Sequence, residues 1–578
     1  MTTSADPASA IVAALAGAGT RLVFGVPGGG PNLDVVGAAA AAGLRFVLTR
    51  GETAATIMAA TCADLTGAPG AVLVTRGPGL ASAVNGIAHA ALDRLPLVVI
   101  ADAVPPAATR VTHQRIDQDA LGRSVAKAAV TVGGPRAAAQ AVRTALAAPR
   151  GPVVANMDES LAGLDAPEVR VTDVAPERSE VKVVSVASVL DGEHAEAGAC
   201  AEASARKLSE ALAAARRPVI MLGTGAIPRT EAVRKALAGS GIPALHTYRA
   251  RGVMPDSAAE AAGPVTGGTM EWPLLSTADL IVGLGVDEAE MIPAPWDYAA
   301  RTILVTQDEP PGHGYFTGAT TLRMPLDEAL DVLAAGPGHD WPDGAGRAVK
   351  QDATRRLAEL AVAAPGRLAP QRVVKTVRDG TPTETIATVD AGAHMLVAMP
   401  LWEVPEPGRL LISSGLATMG YALPAAIAAA LCAPGVPVVA FTGDGGLGMT
   451  LAELETAVRL SLPVIVVVFN DAALSLIEIK QQPDGQGGAE AVRYRPVSFA
   501  AAANALGAAG AAVSTRSGLA AALAAALRRP GPTVIDAAVD PACYPAVMEL
   551  TRGQAGRRSV PGTGRAQSIP PHAKEHPQ

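Results

Sequence analysis

The stretch Val438–Gln481, VVAFTGDGGLGMTLAELETAVRLSLPVIVVVFNDAALSLIEIKQ, constrains this chain more than any other. An apolar, strand-like run (Val438 to Thr442) ends in Gly443-Asp444-Gly445-Gly446. A helix-patterned segment follows, and a second apolar run (Val464 to Phe469) ends in Asn470-Asp471. Strand, helix and strand in so few residues require a right-handed crossover that sets two parallel strands side by side. Asp444 and Asp471 then stand at the carboxyl edge of a sheet, where open α/β sheets take their ligands. Thr450-Leu451-Ala452-Glu453 has the pattern of a capping box opening the intervening helix. The first turn of that helix is expected beside the glycine turn, with free N–H groups directed at an anion. Two carboxylates suit a hard cation, so the stretch describes a Mg²⁺–diphosphate site.

Gly-Asp-Gly by itself is often only a tight turn; the Asn-Asp pair after the next strand gives it meaning. GDG, 24 residues and then ND resembles the metal–diphosphate motif of thiamine-diphosphate-dependent enzymes. The wording GDGGLGMTLAELETAVRL resembles the acetolactate synthase group among them. The resemblance implies thiamine diphosphate and Mg²⁺ as cofactors, with Mg²⁺ on Asp444, Asp471 and the main-chain carbonyl of Ala473. Gly443, Gly445 and Gly446 then cradle the diphosphate. Ala391-Gly392-Ala393-His394 resembles the family's V-G-Q-H diphosphate loop, with Ala393 in place of an amide side chain. Gly415 to Pro424 resembles G-L-G-A-M-G-x-x-L-P, in which Met419 props the thiazolium ring and the Ala417 carbonyl accepts the 4′-amino hydrogen.

At 578 residues the chain is long enough for three cores, and with 3% aromatics those cores must be built from aliphatic residues and Ala. The net charge of −7 and the lack of a basic block argue against nucleic acid or an anionic membrane as partner. Apolar runs such as Leu95 to Ala101 are strand-length, well short of the ~20 residues of a membrane span. Cys62, Cys200, Cys432 and Cys543 lie far apart in the chain, which fits a reducing compartment with thiols acting as small hydrophobes. The start, MTTSADPASA, lacks a basic region followed by an apolar core. A soluble, cytoplasmic protein is expected.

Alternating strand and helix patterns predict an α/β protein of three doubly wound parallel-sheet domains. Residues 1–170 form the first, which the resemblance makes the pyrimidine-binding domain. Residues 171–199 read as a linker, 200–335 as a Rossmann-like middle domain and 336–369 as a second linker. Residues 370–550 form the diphosphate- and Mg²⁺-binding domain, and 551–578 read as a disordered tail. The resemblance spans roughly residues 8 to 548.

Within the first domain, Gly77-Pro78-Gly79 lacks the glycine spacing and acidic partner of a dinucleotide loop. Glu52 sits at a strand-to-helix junction among small apolar residues. Such a carboxylate can simply complement a helix dipole. LTRGETAATIMAATCADLTGAPGAVLVTRGPG, however, resembles the segment that carries the family's catalytic glutamate, and Glu52 falls on it. In that role a buried carboxyl group with a raised pKa meets the cofactor's N1′. Gly28 and Gly29 belong to a loop almost free of side chains and are assigned to the substrate side. His113-Gln114-Arg115-Ile116-Asp117 resembles an F-Q-E-x-D stretch bordering the substrate, with His113 replacing an aromatic residue; Gln114 matches.

The family places its cofactor between the first domain of one subunit and the third of another, which implies a homodimer or homotetramer with active sites between subunits. Its anabolic branch holds FAD through an R-F-D-D-R stretch. Here Val286-Asp287-Glu288-Ala289-Glu290-Met291 takes that place, so FAD is not expected and Gly223-Thr224-Gly225 reads as a structural turn. Beyond Asp471 a helix pattern puts Leu476, Ile477 and Lys480 on one face. Lys480 either extends to solvent or, with His113 of a neighbouring subunit, receives a substrate carboxylate. The resemblance implies decarboxylation of a 2-oxo acid with carboligation to a second 2-oxo acid or an aldehyde. Simple decarboxylation, of the benzoylformate or pyruvate decarboxylase type, is the alternative. A cofactor-binding paralogue without catalysis fits less well with so many costly buried polar positions.

Overall fold

The apolar runs form parallel strands buried on both faces, as expected where helices cover a sheet from both sides. The computed structural model describes residues 6–104, 113–158, 160, 170–171, 193–307, 314–336, 338–360, 363–480 and 488–553. Three sheets carry the fold. The first has the order Arg45–Leu48, Leu22–Val26, Gly70–Val74, Leu97–Asp102, Pro152–Met157, Ala128–Val132, with Arg170–Val171 antiparallel at its edge. The second runs Ala261–Pro264, Ala244–His246, Pro218–Leu222, Leu280–Leu284, Arg301–Thr306, Thr320–Arg323. The third runs Leu410–Ile412, Ile386–Val389, Val438–Gly443, Val464–Asn470, Thr533–Ala538, Ala509–Val513. In the third sheet the strand order reverses between Ile386–Val389 and Val438–Gly443. The loops after these two strands therefore diverge and leave a crevice.

The crossover expected from the sequence is present: Val438–Gly443 pairs in parallel with Val464–Asn470, Gly443 opposite Phe469. The connection is not one capped helix. Asp444–Thr450 and Glu453–Arg459 are two short helices, with Thr450 inside the first and Ala452 at the N-cap of the second. The Thr450 hydroxyl has no partner. Glu453 is turned the other way, accepting the backbone N–H of Arg50 at 2.9 Å and the Thr456 hydroxyl at 2.7 Å. The capping-box expectation fails because a tertiary contact with the first domain takes the glutamate.

The helix Glu52–Thr66 packs on Ala422–Cys432, and both faces are built largely of alanine, which lets the backbones approach. Across this packing Cys62 and Cys432, 370 positions apart in the chain, bring their sulfurs to 2.8 Å. Cys200, by contrast, is exposed rather than a core hydrophobe. A polar junction ties the three domains together. Arg249 donates to the Asp93 carbonyl and, at 2.9 Å, to the Asp64 carboxylate. Asp93 in turn accepts the Gly415 N–H at 2.7 Å and faces the His89 ring nitrogen at 3.3 Å.

Several boundaries differ from the sequence reading. The helix opening the middle domain begins at Glu193, and the last helix, Tyr544–Arg552, continues two residues into the expected tail. The segment 336–369, read as a Gly/Pro-rich stretch with a charged helix, contains the helix Ala345–Glu359, several of whose residues are buried. Its Lys350 is buried, with Nζ 3.0 Å from both Asp256 and Glu403. The rest of the expected first linker, 172–192, and of the tail, 554–578, lies outside the described residues. Among the described residues no helix is long and apolar enough to cross a membrane.

Candidate active site

A cavity of about 320 Å³ opens at the crevice of the third sheet. Its floor is the two strand ends: Gly443, Asp444, Gly445 and Gly446 after one, Asp471 and Ala473 after the next. Asp444 holds the two ends together. Its Oδ2 accepts the N–H groups of Asp471 (3.1 Å) and Ala472 (2.6 Å), and its Oδ1 accepts that of Gly445 at 2.7 Å and the Tyr494 hydroxyl. Ala472 has a left-handed backbone (φ 60°), strain of the kind found at functional turns. The Asp471 carboxylate accepts the Ser475 hydroxyl at 2.6 Å.

Burial raises the pKa of Asp444. Burial, with the Asp444 charge adding to it against the Ser475 hydrogen bond, pushes Asp471 up to about 7. Two adjacent carboxylates with no basic side chain paired to either among the described residues fit a hard cation, which supplies the missing positive charge.

The opposite wall is the loop after Ile386–Val389, with Ala391, Gly392, Ala393 and His394 lining the cavity. His394 is buried and stacks on Phe469 with ring centres 5.3 Å apart. Burial lowers its pKa to about 4, so the ring is neutral, and its Nε2 has no partner. A Cβ on Gly392 would come within 2.6 Å of that ring. A neutral, orphaned ring nitrogen between two glycine turns fits a diphosphate oxygen. Asp390, which the sequence reading passed over, is the brace of this wall. It accepts the Thr442 hydroxyl at 2.5 Å and the Ala422 N–H at 2.8 Å, and burial pushes its pKa up to about 6. A Cβ at Gly446 would lie 2.3 Å from its Oδ2. The signal was in the sequence, as an Asp at a strand end facing a Gly-Gly pair.

Ala417 and Met419 line the same cavity, Ala417 at φ 51°. The helix Ser475–Lys480 brings Leu476, Ile477 and Lys480 to it, and the middle domain contributes Tyr248 and Glu290 to Pro293. The last helix adds Tyr544, to which the sequence reading gave no role, and Arg552, which it placed in the tail. The structure thus gathers Gly392, Ala393, His394, Ala417, Met419, Gly443 to Gly446, Asp471, Ala473, Leu476 and Lys480.

It does not gather Glu52, Gly28, Gly29, His113 or Gln114, and no residue of the first domain lines the cavity among the described residues. These five lie at the carboxyl edge of the first sheet instead. Glu52 opens its helix half-buried, not buried as expected, because its own chain supplies no cover there. A Cβ on Gly28 would meet the Thr75 hydroxyl at 2.5 Å, and one on Gly77 would meet the Gln114 carbonyl at 2.3 Å. Gln114 itself has φ 62°, and His113 is exposed.

Paired carboxylates, a neutral histidine and glycine turns at a sheet's topological switch fit a cofactor enzyme of the open α/β class. Comparison with known proteins makes this specific. Residues 6–121, 205–310 and 390–537 match, in turn, the models of the N-terminal TPP binding domain, the central domain and the C-terminal TPP binding domain of thiamine pyrophosphate enzymes. The catabolic acetolactate synthase of Raoultella terrigena is 30% identical, the alignment covering 94% of this chain and 97% of the relative. The acetolactate synthase of Bacillus subtilis (strain 168) is 29% identical over 92% of this chain and 93% of the relative. The 2-hydroxyacyl-CoA lyase of Oryza sativa subsp. japonica is 30% identical over 91% and 94%. The chain belongs to the thiamine pyrophosphate enzyme family. It is a thiamine-diphosphate-dependent carboligase or decarboxylase, similar to acetolactate synthases.

Proposed function

We propose that the protein decarboxylates a 2-oxo acid and joins the remaining acyl unit to a second 2-oxo acid or an aldehyde, using thiamine diphosphate and Mg²⁺. The observation that carries this reading is the single cavity in which Asp444, Asp471 and His394 meet Met419, Ala417 and the cations Lys480 and Arg552. Asp444, Asp471 and the Ala473 carbonyl would hold Mg²⁺, and His394 with the glycine turns would hold the diphosphate. When bound, the cofactor supplies the electron sink for loss of CO₂. The chain's own residues orient it and exclude water: Met419 and Leu476 form apolar walls, and Glu52 would hold and move a proton at its carboxyl group. In the balanced reaction the donor's C1–C2 bond breaks and CO₂ leaves. The new C–C bond forms at the acceptor's carbonyl carbon, whose oxygen takes a proton.

That no described residue of the first domain lines the cavity supports active sites between subunits. Glu52, Gly28, Gly29, His113 and Gln114 would then reach the cavity of another copy, in a homodimer or homotetramer. A flavin-free middle domain is supported by Glu290. Its carboxyl group takes the Thr224 N–H (3.0 and 3.1 Å) and hydroxyl (2.6 Å) at the Gly223–Gly225 turn, so these donors of the turn are already occupied by the chain's own side chain. The test is to add thiamine diphosphate and Mg²⁺ to the purified protein, screen 2-oxo acids for CO₂ release and identify the products. A 2-hydroxy ketone supports carboligation, a free aldehyde alone supports simple decarboxylation, and no CO₂ from any 2-oxo acid removes the reading.

A further inference from the structure

Arg552 is the last residue of the helix Tyr544–Arg552 and lines the cavity where the middle domain closes on it. The fit is tight: a Cβ on Gly268 would lie 2.6 Å from the Arg552 Cα, and the Thr269 hydroxyl donates to the Leu550 carbonyl. Arg552 is half-buried, its Nε has no acceptor, and its guanidinium has no acidic partner among the described residues. A second orphan lies beside it. Tyr248, 4% exposed, lines the same cavity with its hydroxyl unpartnered. The two are adjacent, the Arg552 charge drawing the phenol's pKa down against the larger upward push of burial.

The acidic residues of the cavity are already committed. Glu290 accepts from Thr224, Thr247 and the Asp287 N–H. Asp444 accepts the Asp471 and Ala472 N–H groups, and Asp471 accepts the Ser475 hydroxyl. A partly desolvated guanidinium without a counter-charge is costly, and a carboxylate is its natural complement, received in a two-pronged contact. Lys480, at the end of the helix packed against Tyr544–Arg552, adds a second cation to the lining.

We propose that Arg552 and Tyr248, supported by Lys480, bind a carboxylate that the substrate keeps through the reaction. The inference rests on the 2-oxo acid reading above. A firm ion pair with the departing carboxylate would stabilise the ground state more than the transition state and slow loss of CO₂. The pair therefore serves a carboxylate that is not lost. It belongs either to the 2-oxo acid that acts as acceptor or to the far end of a dicarboxylic donor.

The experiment uses the full chain loaded with thiamine diphosphate and Mg²⁺. In wild type and Arg552→Gln, KM is measured for a 2-oxo acid acceptor against an uncharged aldehyde acceptor, and for a dicarboxylic donor against a monocarboxylic one. A rise of about tenfold confined to the charged acceptor assigns the site to the acceptor carboxylate. The same rise confined to the dicarboxylic donor assigns it to the donor's far end. Arg552→Lys should restore part of the loss, because charge remains while the fork is gone. Equal changes for charged and uncharged substrates, or none, overturn the proposal. If neither protein turns over any 2-oxo acid, the functional reading fails and calorimetric titration with glutarate decides the site separately. Saturable binding weakened about tenfold in Arg552→Gln keeps the carboxylate site; equal binding or none removes it.

Discussion

The Tyr494 hydroxyl donates to Oδ1 of Asp444, the oxygen that also accepts the Gly445 N–H. Tyr494 is held there by its own N–H, which donates to the Ala472 carbonyl at 3.1 Å, so it belongs to the same loop pairing that shapes the proposed cation site. With two donors on each oxygen, the Asp444 carboxylate is saturated. A cation approaching it must displace the phenol.

Tyr494→Phe should therefore bind Mg²⁺ more tightly in the presence of thiamine diphosphate. A hydrogen bond to a charged acceptor contributes about 1.5–3 kcal/mol net, which sets an expected gain of roughly tenfold or more in the dissociation constant. Calorimetric titration of the cation reads it. Weaker binding would show that the phenol supports the site instead of covering it.

Asp390 and His394 oppose each other in acid. The folded pKa of Asp390, about 6 against an ordinary 3.8, means that the folded state holds more protons between those values, so stability falls as pH rises through that window. For His394, about 4 against 6.5, the unfolded state holds more, so stability is lost as pH falls through that window. Each amounts to about 3 kcal/mol. Asp390→Asn should steepen the loss of stability between pH 6 and 4, and His394→Gln should flatten it. Chemical denaturation of the apoprotein across that range checks both; parallel curves for all three proteins would contradict them.

Two inactive variants should rescue each other. Glu52→Gln and Asp444→Ala each remove a different half of the site. If the halves come from different subunits, mixed dimers contain one intact site in two. Unfolding and refolding an equal mixture should then return roughly a quarter of wild-type activity. No recovery would mean that one chain completes its own site.

Gly446→Ala should fail at the brace and not at the metal. The added Cβ would sit 2.3 Å from the Asp390 carboxylate, which is itself held by Thr442 and Ala422 and cannot retreat. Overpacking of this kind costs about 1–3 kcal/mol, visible as a lower denaturation midpoint. An unchanged midpoint would show that the wall can move.

The crossover from Val438 to Asn470, its two terminal aspartates and the order of the three domains were legible because they depend on local pattern. A β-branched run between glycines, repeated after a short helical segment, has few ways to fold, and parallel pairing fixes which ends meet. His394, Ala417 and Met419 were singled out by the resemblance of their short segments to family motifs, each next to a strand end or turn that the sequence marks. What the sequence left undetermined depends on contacts between segments hundreds of residues apart. Glu453 has the spacing of a capping residue, yet the Arg50 N–H takes its carboxylate, because a buried tertiary hydrogen bond outweighs a local cap. Arg552 reads as part of a polar tail, and only the seating of Gly268 against it turns it into the cavity. Glu52 carries a recognisable motif, but its distance from the Asp444 cavity within one chain follows from how the domains pack: its helix lies against Ala422–Cys432, and the cavity opens elsewhere.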